Sequence, residues 1–128
     1  MSTVTLTADS FQDTVTDNDI VMVDFWAEWC GPCKSFAPVY EATSESNPDI
    51  VFGKVDTEAE QALAGAAGIQ SIPTLMVFRE GVMVFRQSGA LPQQAMDQLI
   101  SQVRELDMED VHRQVAEAEA ESATQASQ

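Results

Sequence analysis

The strongest signal in the chain is Ile20 to Trp26, Ile-Val-Met-Val-Asp-Phe-Trp, in which six apolar residues are interrupted only by Asp24. A near-continuous apolar run of this length suits a strand covered on both faces, as in a parallel sheet. Ahead of it, Val4 and Leu6 alternate with threonines over Thr3 to Thr7, which reads as a short strand. Thr7 is placed to cap a weak surface helix over Ala8 to Thr16, whose apolar residues are only Phe11 and Val15. After the run, Gly31 to Ser46 puts Phe36, Val39, Tyr40 and Thr43 on one side of a helix, and Asn47-Pro48 breaks it. Ile50 to Asp56 is a further strand. Thr57-Glu58-Ala59-Glu60 fits a capping box, with Thr57 at the N-cap and Glu60 at N3, and predicts a helix to about Ala67 that Gly68 ends. Thr74 to Arg79 and Val82 to Gln87 are apolar strands joined by Glu80-Gly81, a two-residue hairpin signal. Pro92 opens a last helix through Met96, Leu99, Ile100 and Val103.

The order strand, helix, strand, helix, strand, helix, hairpin, helix predicts an α/β fold: a central mixed sheet with helices on both faces. From about Glu105 the composition shifts. Residues 105–128 hold seven acids and one arginine, a net charge of −6. Leu106, Val111, Val115 and Ala118 leave the phase of the preceding apolar stripe, so the chain divides into a domain over residues 1–105 and an acidic C-terminal extension over 106–128. No Gly or Pro interrupts the extension, so it is expected to be helical at first and frayed from Glu121 to Gln128. It is either a solvated acidic tail or a partner-docking helix.

The chain has 128 residues, a length that favours one domain, and its 45 % hydrophobic content supports a packed core. With 21 acidic residues against 6 Lys and Arg, the net charge is −15. Such a chain cannot neutralise a run of phosphates, so nucleic acid is excluded as a partner, and adhesion to an anionic membrane is disfavoured. No apolar run reaches the ~18 residues of a membrane span, and Met1 to Thr5 shows no basic n-region with an apolar stretch behind it. A cytoplasmic location is the expectation, and so is a monomer.

The only two cysteines are Cys30 and Cys33, in Trp29-Cys30-Gly31-Pro32-Cys33-Lys34 between the apolar strand and the following helix. A structural disulfide is a poor reading: closing a ring of four residues restricts the unfolded chain by only roughly 2 kcal/mol, and a reducing compartment would open it. Structural zinc takes four ligands, whereas this chain offers two cysteines and a single His112 in the tail. A redox-active dithiol remains. Cys30 falls at the helix start, where unpaired N–H groups and the helix dipole favour a thiolate. Pro32 suits the first turn, and Cys33 lies within that turn, more shielded and able to attack a sulfur bonded to Cys30. Acidity alone achieves little. Lowering a thiol pKa from ~8.5 to ~7 raises the thiolate fraction at pH 7 about sixteenfold but weakens its nucleophilicity about four- to sixfold. Most of the rate must therefore come from holding the sulfurs in line.

Asp24 is the second anomaly, a carboxylate inside an otherwise buried strand. Such a group raises its own pKa or finds a partner. It reads either as a satisfied structural acid or as a proton carrier beneath the active site that takes the Cys33 proton. Lys54, on a strand expected to neighbour Asp24, either tunes it or is a solvated strand-end lysine.

Together these residues resemble the thioredoxin family over roughly residues 3 to 105. The active-site string Trp29 to Lys34, its approach Val23-Asp24-Phe25-Trp26-Ala27, Pro38 within the helix, Lys54, Ile72-Pro73-Thr74, Gly81 and Gly89 all match. The resemblance implies a thioredoxin-like fold and protein-disulfide reductase activity, with Cys30 as nucleophile, Cys33 as resolving thiol and Asp24 managing its proton. It implies a cis bond at Pro73, and a flat substrate face of Trp29, Gly31, Pro32, Ile72, Pro73 and the Ser88-Gly89-Ala90 loop. It implies no bound cofactor, disulfide-containing client proteins, and electrons from NADPH through thioredoxin reductase, since the chain has no dinucleotide fingerprint of its own. Ser35, Ala66-Ala67 and the long acidic tail depart from the family pattern without touching the chemistry. Two other readings are a partner-binding or holdase module without turnover, and a disulfide oxidase or isomerase. Gly31-Pro32 lacks the histidine of strongly oxidising relatives, which favours the reductant.

Overall fold

A computed structural model describes residues 2–126. Strand β1 (Thr3–Thr5) leads through a turn to helix α1 (Phe11–Asp17), and the apolar run forms β2 (Ile20–Trp26). Helix α2 (Gly31–Ser46) follows, then β3 (Val51–Asp56) and α3 (Gln61–Ala66). The hairpin is β4 (Thr74–Arg79) and β5 (Val82–Ser88), and the chain closes with α4 (Gln93–Arg104) and α5 (Met108–Ala126). The five strands make one sheet in the order β1-β3-β2-β4-β5. β3 runs parallel to β1 and β2, while β4 is antiparallel to both β2 and β5. The mixed sheet is therefore the expected one, with β2 at its centre.

Alternation along β2 divides the core in two. Ile20 and Met22 face one side, packed with Phe36 and Tyr40 of α2 and with Met96, Leu99, Ile100 and Val103 of α4. Val21, Val23 and Phe25 face the other, with Val15 of α1 and, beyond α3, Ile69. Asp24 has the parity of Ile20 and Met22, so it lies on the face that α2 covers. Gly53 is required where the Leu6 side chain, just past β1, lies against β3. A Cβ built there would overlap Leu6 Cδ1 and stand 2.8 Å from Leu6 Cγ, in a side chain only 3 % exposed. Gly53→Ala is expected to destabilise the protein by roughly 1–3 kcal/mol through this overpacking, read as a lower midpoint in urea denaturation.

Local starts and stops differ from the sequence reading in three places. Thr7 does not cap α1. Its carbonyl accepts from the Ser10 and Phe11 N–H groups, closing a turn, and its own N–H donates to Ser10 Oγ, so the helix begins at Phe11 instead of Ala8. The capping box before α3 does not form either. Thr57 Oγ1 and the Thr57 N–H both donate to the Trp26 carbonyl, binding the loop to β2, and Glu60 Oε1 accepts from the Ala8 N–H, 2.7 Å away. Long-range partners have taken both side chains, and α3 starts at Gln61. Pro92 stands one place before α4, at its N-cap.

The stops are as expected. Gly68 ends α3 with φ +70°: its N–H bonds the Gly65 carbonyl and the Ile69 N–H bonds that of Ala64, a Schellman arrangement. Glu80 (φ +51°) and Gly81 (φ +79°) form the hairpin turn, both in the left-handed region that a type I′ turn needs.

In the extension, α5 runs through Ala126, past Glu121 where the sequence predicts fraying; residues 127 and 128 lie outside the described structure. Its alanine- and glutamate-rich composition favours helix, and Arg113 pairs with Asp110 and Glu117 along it. Leu106, Val111, Val115 and Ala118 line a groove of about 340 Å³ against Val82, Met83 and Val84 of β5. His112 bonds Glu80 at the hairpin turn, 2.9 Å away.

Candidate active site

The site forms where β2 gives way to α2. Cys30 is the N-cap of α2, and the Cys33 N–H donates to its Sγ at 3.1 Å. Pro32 occupies the first turn, where a missing N–H leaves no hydrogen bond unmade. Cys30 and Cys33 are joined as a disulfide, with Cα atoms 5.2 Å apart. The backbone donor that meets this sulfur would equally meet a thiolate, which is the physical basis for acidity at a helix start. The two cysteines do not differ in exposure: each is 4 % accessible, so Cys33 is no more shielded than Cys30. Trp29, by contrast, is 69 % exposed, and its Nε1 donates to Glu58 Oε1 at 2.6 Å. In the sequence Glu58 reads only as part of the capping box. No local signal marks its bond to Trp29, because the two are 29 positions apart.

The second edge of the site is the Ile72-Pro73 segment, whose peptide bond is cis. The Ile72 carbonyl oxygen lies 3.7 Å from Cys30 Sγ. Pro73 is held by the Gly89 N–H, which donates to its carbonyl at 2.8 Å; Thr74 Oγ1 bonds the Ser71 carbonyl at 2.6 Å and meets Ser88 Oγ at 3.1 Å. Gly89 has φ +104°, a conformation that leaves this turn to glycine. Trp29, Ile69, Gln70, Ser71 and Ile72 line a groove of about 340 Å³ between α3 and the disulfide. Gly31 presents no side chain beside Cys30, and a Cβ there would meet nothing within 4 Å.

On β2, Asp24 sits opposite Lys54 in the β2–β3 register and Leu75 in the β2–β4 register. The residue is 1 % exposed, and among the described residues its Oδ1 has no hydrogen-bond partner. Burial pushes its pKa from the ordinary 3.8 up to about 7, and the Lys54 ammonium pulls in the opposite direction. Tyr40 stands close enough that the Asp24 charge, after burial, raises the phenol above its usual value. Lys54 Nζ lies 4.9 Å from the Trp26 ring centroid, a cation–π distance. A small cavity of about 120 Å³, lined by Trp26, Glu28, Cys33, Lys34 and Lys54 among others, opens beside Cys33. Among the described residues no cluster of His, Cys, Asp or Glu is arranged to hold a metal, and no helix is long and apolar enough to cross a membrane.

Comparison with known proteins points the same way as the geometry. Residues 2–102 match the Thioredoxin family model. The chain is 61 % identical over 121 residues to putative thioredoxin 2 of Streptomyces coelicolor, covering 94 % of this chain and 90 % of that one. It is 39 % identical over 102 residues to the thioredoxin of Bacillus subtilis, covering 79 % and 97 % respectively. Among solved structures, a mutant thioredoxin from Halobacterium salinarum superposes with a TM-score of 0.74 at 36 % identity, over 81 % of this chain and 91 % of that one. A two-cysteine ring that opens and closes at a helix start works by dithiol–disulfide exchange on disulfide-containing substrates, and the chain so built belongs to the thioredoxin family of thiol–disulfide oxidoreductases.

Proposed function

We propose that the protein is a cytoplasmic, monomeric protein-disulfide reductase in which Cys30 attacks and Cys33 resolves. The observation that carries the division of labour is the Cys33 N–H aimed at Cys30 Sγ at 3.1 Å, which stabilises an anion on Cys30. In the reduced enzyme the Cys30 thiolate attacks one sulfur of a client disulfide. That bond breaks, a mixed disulfide forms, and the first client sulfur leaves as a thiolate that takes up a proton. Cys33 then gives its proton to the Asp24 carboxylate and attacks Cys30 Sγ. The second client thiolate departs, leaving the client reduced by two electrons and the Cys30–Cys33 pair oxidised. Burial suits Asp24 to this task, since a carboxyl titrating near 7 is poised to accept a proton at neutral pH. Lys54 keeps that value from rising further.

Trp29, Gly31, Pro32, Ile72, Pro73 and Gly89 form the face on which the client lies, with the Ile72 main chain as its hydrogen-bonding edge. Residues 1–105 carry this chemistry, and 106–128 form an appended acidic extension, helical over Met108–Ala126. The extension lies outside the catalytic unit, in keeping with a family match that ends at residue 102.

No cofactor is held, and the oxidised pair is returned to the dithiol by NADPH through thioredoxin reductase. The test is a coupled assay with reductase, NADPH and oxidised insulin. One NADPH should be consumed per client disulfide reduced, and no consumption above the protein-free rate would sink the assignment of the electron source.

A further inference from the structure

We propose that Arg86 is a positioning residue for the substrate edge of the site, clamping the loop that carries Ile72 and Pro73. Its guanidinium donates to the Ala67 carbonyl at 2.6 Å and to the Gly68 carbonyl at 2.7 Å. A helix leaves its last carbonyls without partners. At α3 the Schellman bonds serve those of Ala64 and Gly65, and the Arg86 fork serves two further along the chain. A planar guanidinium spans two adjacent oxygens in a way that the point charge of a lysine cannot.

The position of Arg86 on β5 gives the clamp its consequence. Arg86 pairs with Met76 and Ser88 with Thr74, so Arg86 and Ser88 project from the same face of the sheet. Ser88 and Gly89 hold the far end of the loop through Thr74 and Pro73. The segment from Gly68 to Pro73 is thus pinned to one strand at both ends. Between the pins, neither Gln70 nor Ser71 donates a backbone hydrogen bond among the described residues, and these two line the groove beside Trp29. The Gln70–Ser71 stretch of the groove wall therefore depends on the anchors on either side of it, Ile69 and Ile72 being packed against the core. Without Arg86 the Ala67–Gly68 end loses two charge-assisted bonds, and a client must order the wall as it binds.

The inference rests on the reading of Ile72-Pro73 as the client-holding edge, and the experiment separates the two. Arg86 is exposed, so its replacement leaves the core intact. For Arg86→Met, the KM for insulin is expected to rise about fivefold, the cost of ordering a few groups on binding, with kcat unchanged. Reduction of the small disulfide DTNB, and the pH profile of Cys30 alkylation by iodoacetamide in the reduced protein, should match wild type. Arg86→Lys should give an intermediate KM, and the Gln70 and Ser71 amides should exchange hydrogen faster in Arg86→Met. An unchanged insulin KM in Arg86→Met, or equal losses on insulin and DTNB, overturns the proposal. Ile72→Asp is the control. If it raises the insulin KM while Arg86→Met does not, the clamp alone falls; if neither does, the substrate-edge reading falls with it.

Discussion

Cys30→Ser is expected to abolish insulin reduction, with a loss of at least about a thousandfold, because a serine hydroxyl at neutral pH supplies neither the thiolate nor the second sulfur that exchange requires. The variant should still fold: Cys30 contributes a buried side chain of nearly the same shape, and the backbone donor at Cys33 can meet an oxygen as it meets the sulfur. Cys33→Ser should fail differently. The first attack remains possible, so Cys30 forms the mixed disulfide and then waits. On non-reducing gels this variant should accumulate a covalent adduct with a client that Cys30→Ser does not form. Turnover by Cys30→Ser, or adducts on Cys33 instead of Cys30, would reverse the roles assigned to the two sulfurs. The equal burial of the two residues makes this a real test, since accessibility does not choose between them.

Replacing Asp24 with asparagine should stabilise the fold and slow the enzyme. The folded-state pKa is near 7 against an ordinary 3.8. Between those values the native protein holds a proton that the unfolded chain has released, so stability falls as pH rises through the window. The penalty is complete above the folded pKa, where the rise from 3.8 to about 7 corresponds to about 4 kcal/mol. An asparagine side chain does not titrate. The stability difference between Asp24→Asn and wild type should therefore be largest near pH 8 and shrink steadily towards pH 4. Urea denaturation at several pH values reads it directly, and a difference independent of pH would mean that Asp24 is not buried as a titrating carboxyl. Kinetically, loss of the proton acceptor should slow resolution of the mixed disulfide by about tenfold or more at pH 7, with the first attack by Cys30 little affected. A group that costs the fold stability yet governs one chemical step is a functional residue held in place by its surroundings.

How far these features are legible along the chain depends on the range of the interactions. The β2 run, the hairpin at Glu80-Gly81 and the stop at Gly68 depend on neighbours within a few residues, and each forms where the pattern puts it. The starts of α1 and α3 do not. Thr57 and Glu60 have the right spacing for a capping box, but Trp26 and Ala8, distant in sequence, compete for the same side chains and win. Glu58 and Arg86 carry no local mark for the same reason. Their roles come from partners 29 and 19 positions away.

By itself the sequence determined the chemistry: a pair of cysteines either side of Gly31-Pro32 at a helix start, a carboxylate set into a buried strand, and an alternation that permits one sheet with two covered faces. Those follow from periodicity and backbone electrostatics, which act within a turn or a strand. Only the tertiary structure decided that Asp24 lies on the α2 face, and it put Lys54 directly opposite in the neighbouring strand, as the sequence suggests. It alone brought the Ile72 carbonyl to Cys30, gave the Trp29 indole its Glu58 partner, and fastened the loop before Pro73 to β5 through Arg86. The physical reason is that hydrogen-bond capacity is satisfied by whatever folding brings within about 3 Å, and for a side chain on a crossover connection that partner is rarely its neighbour in sequence.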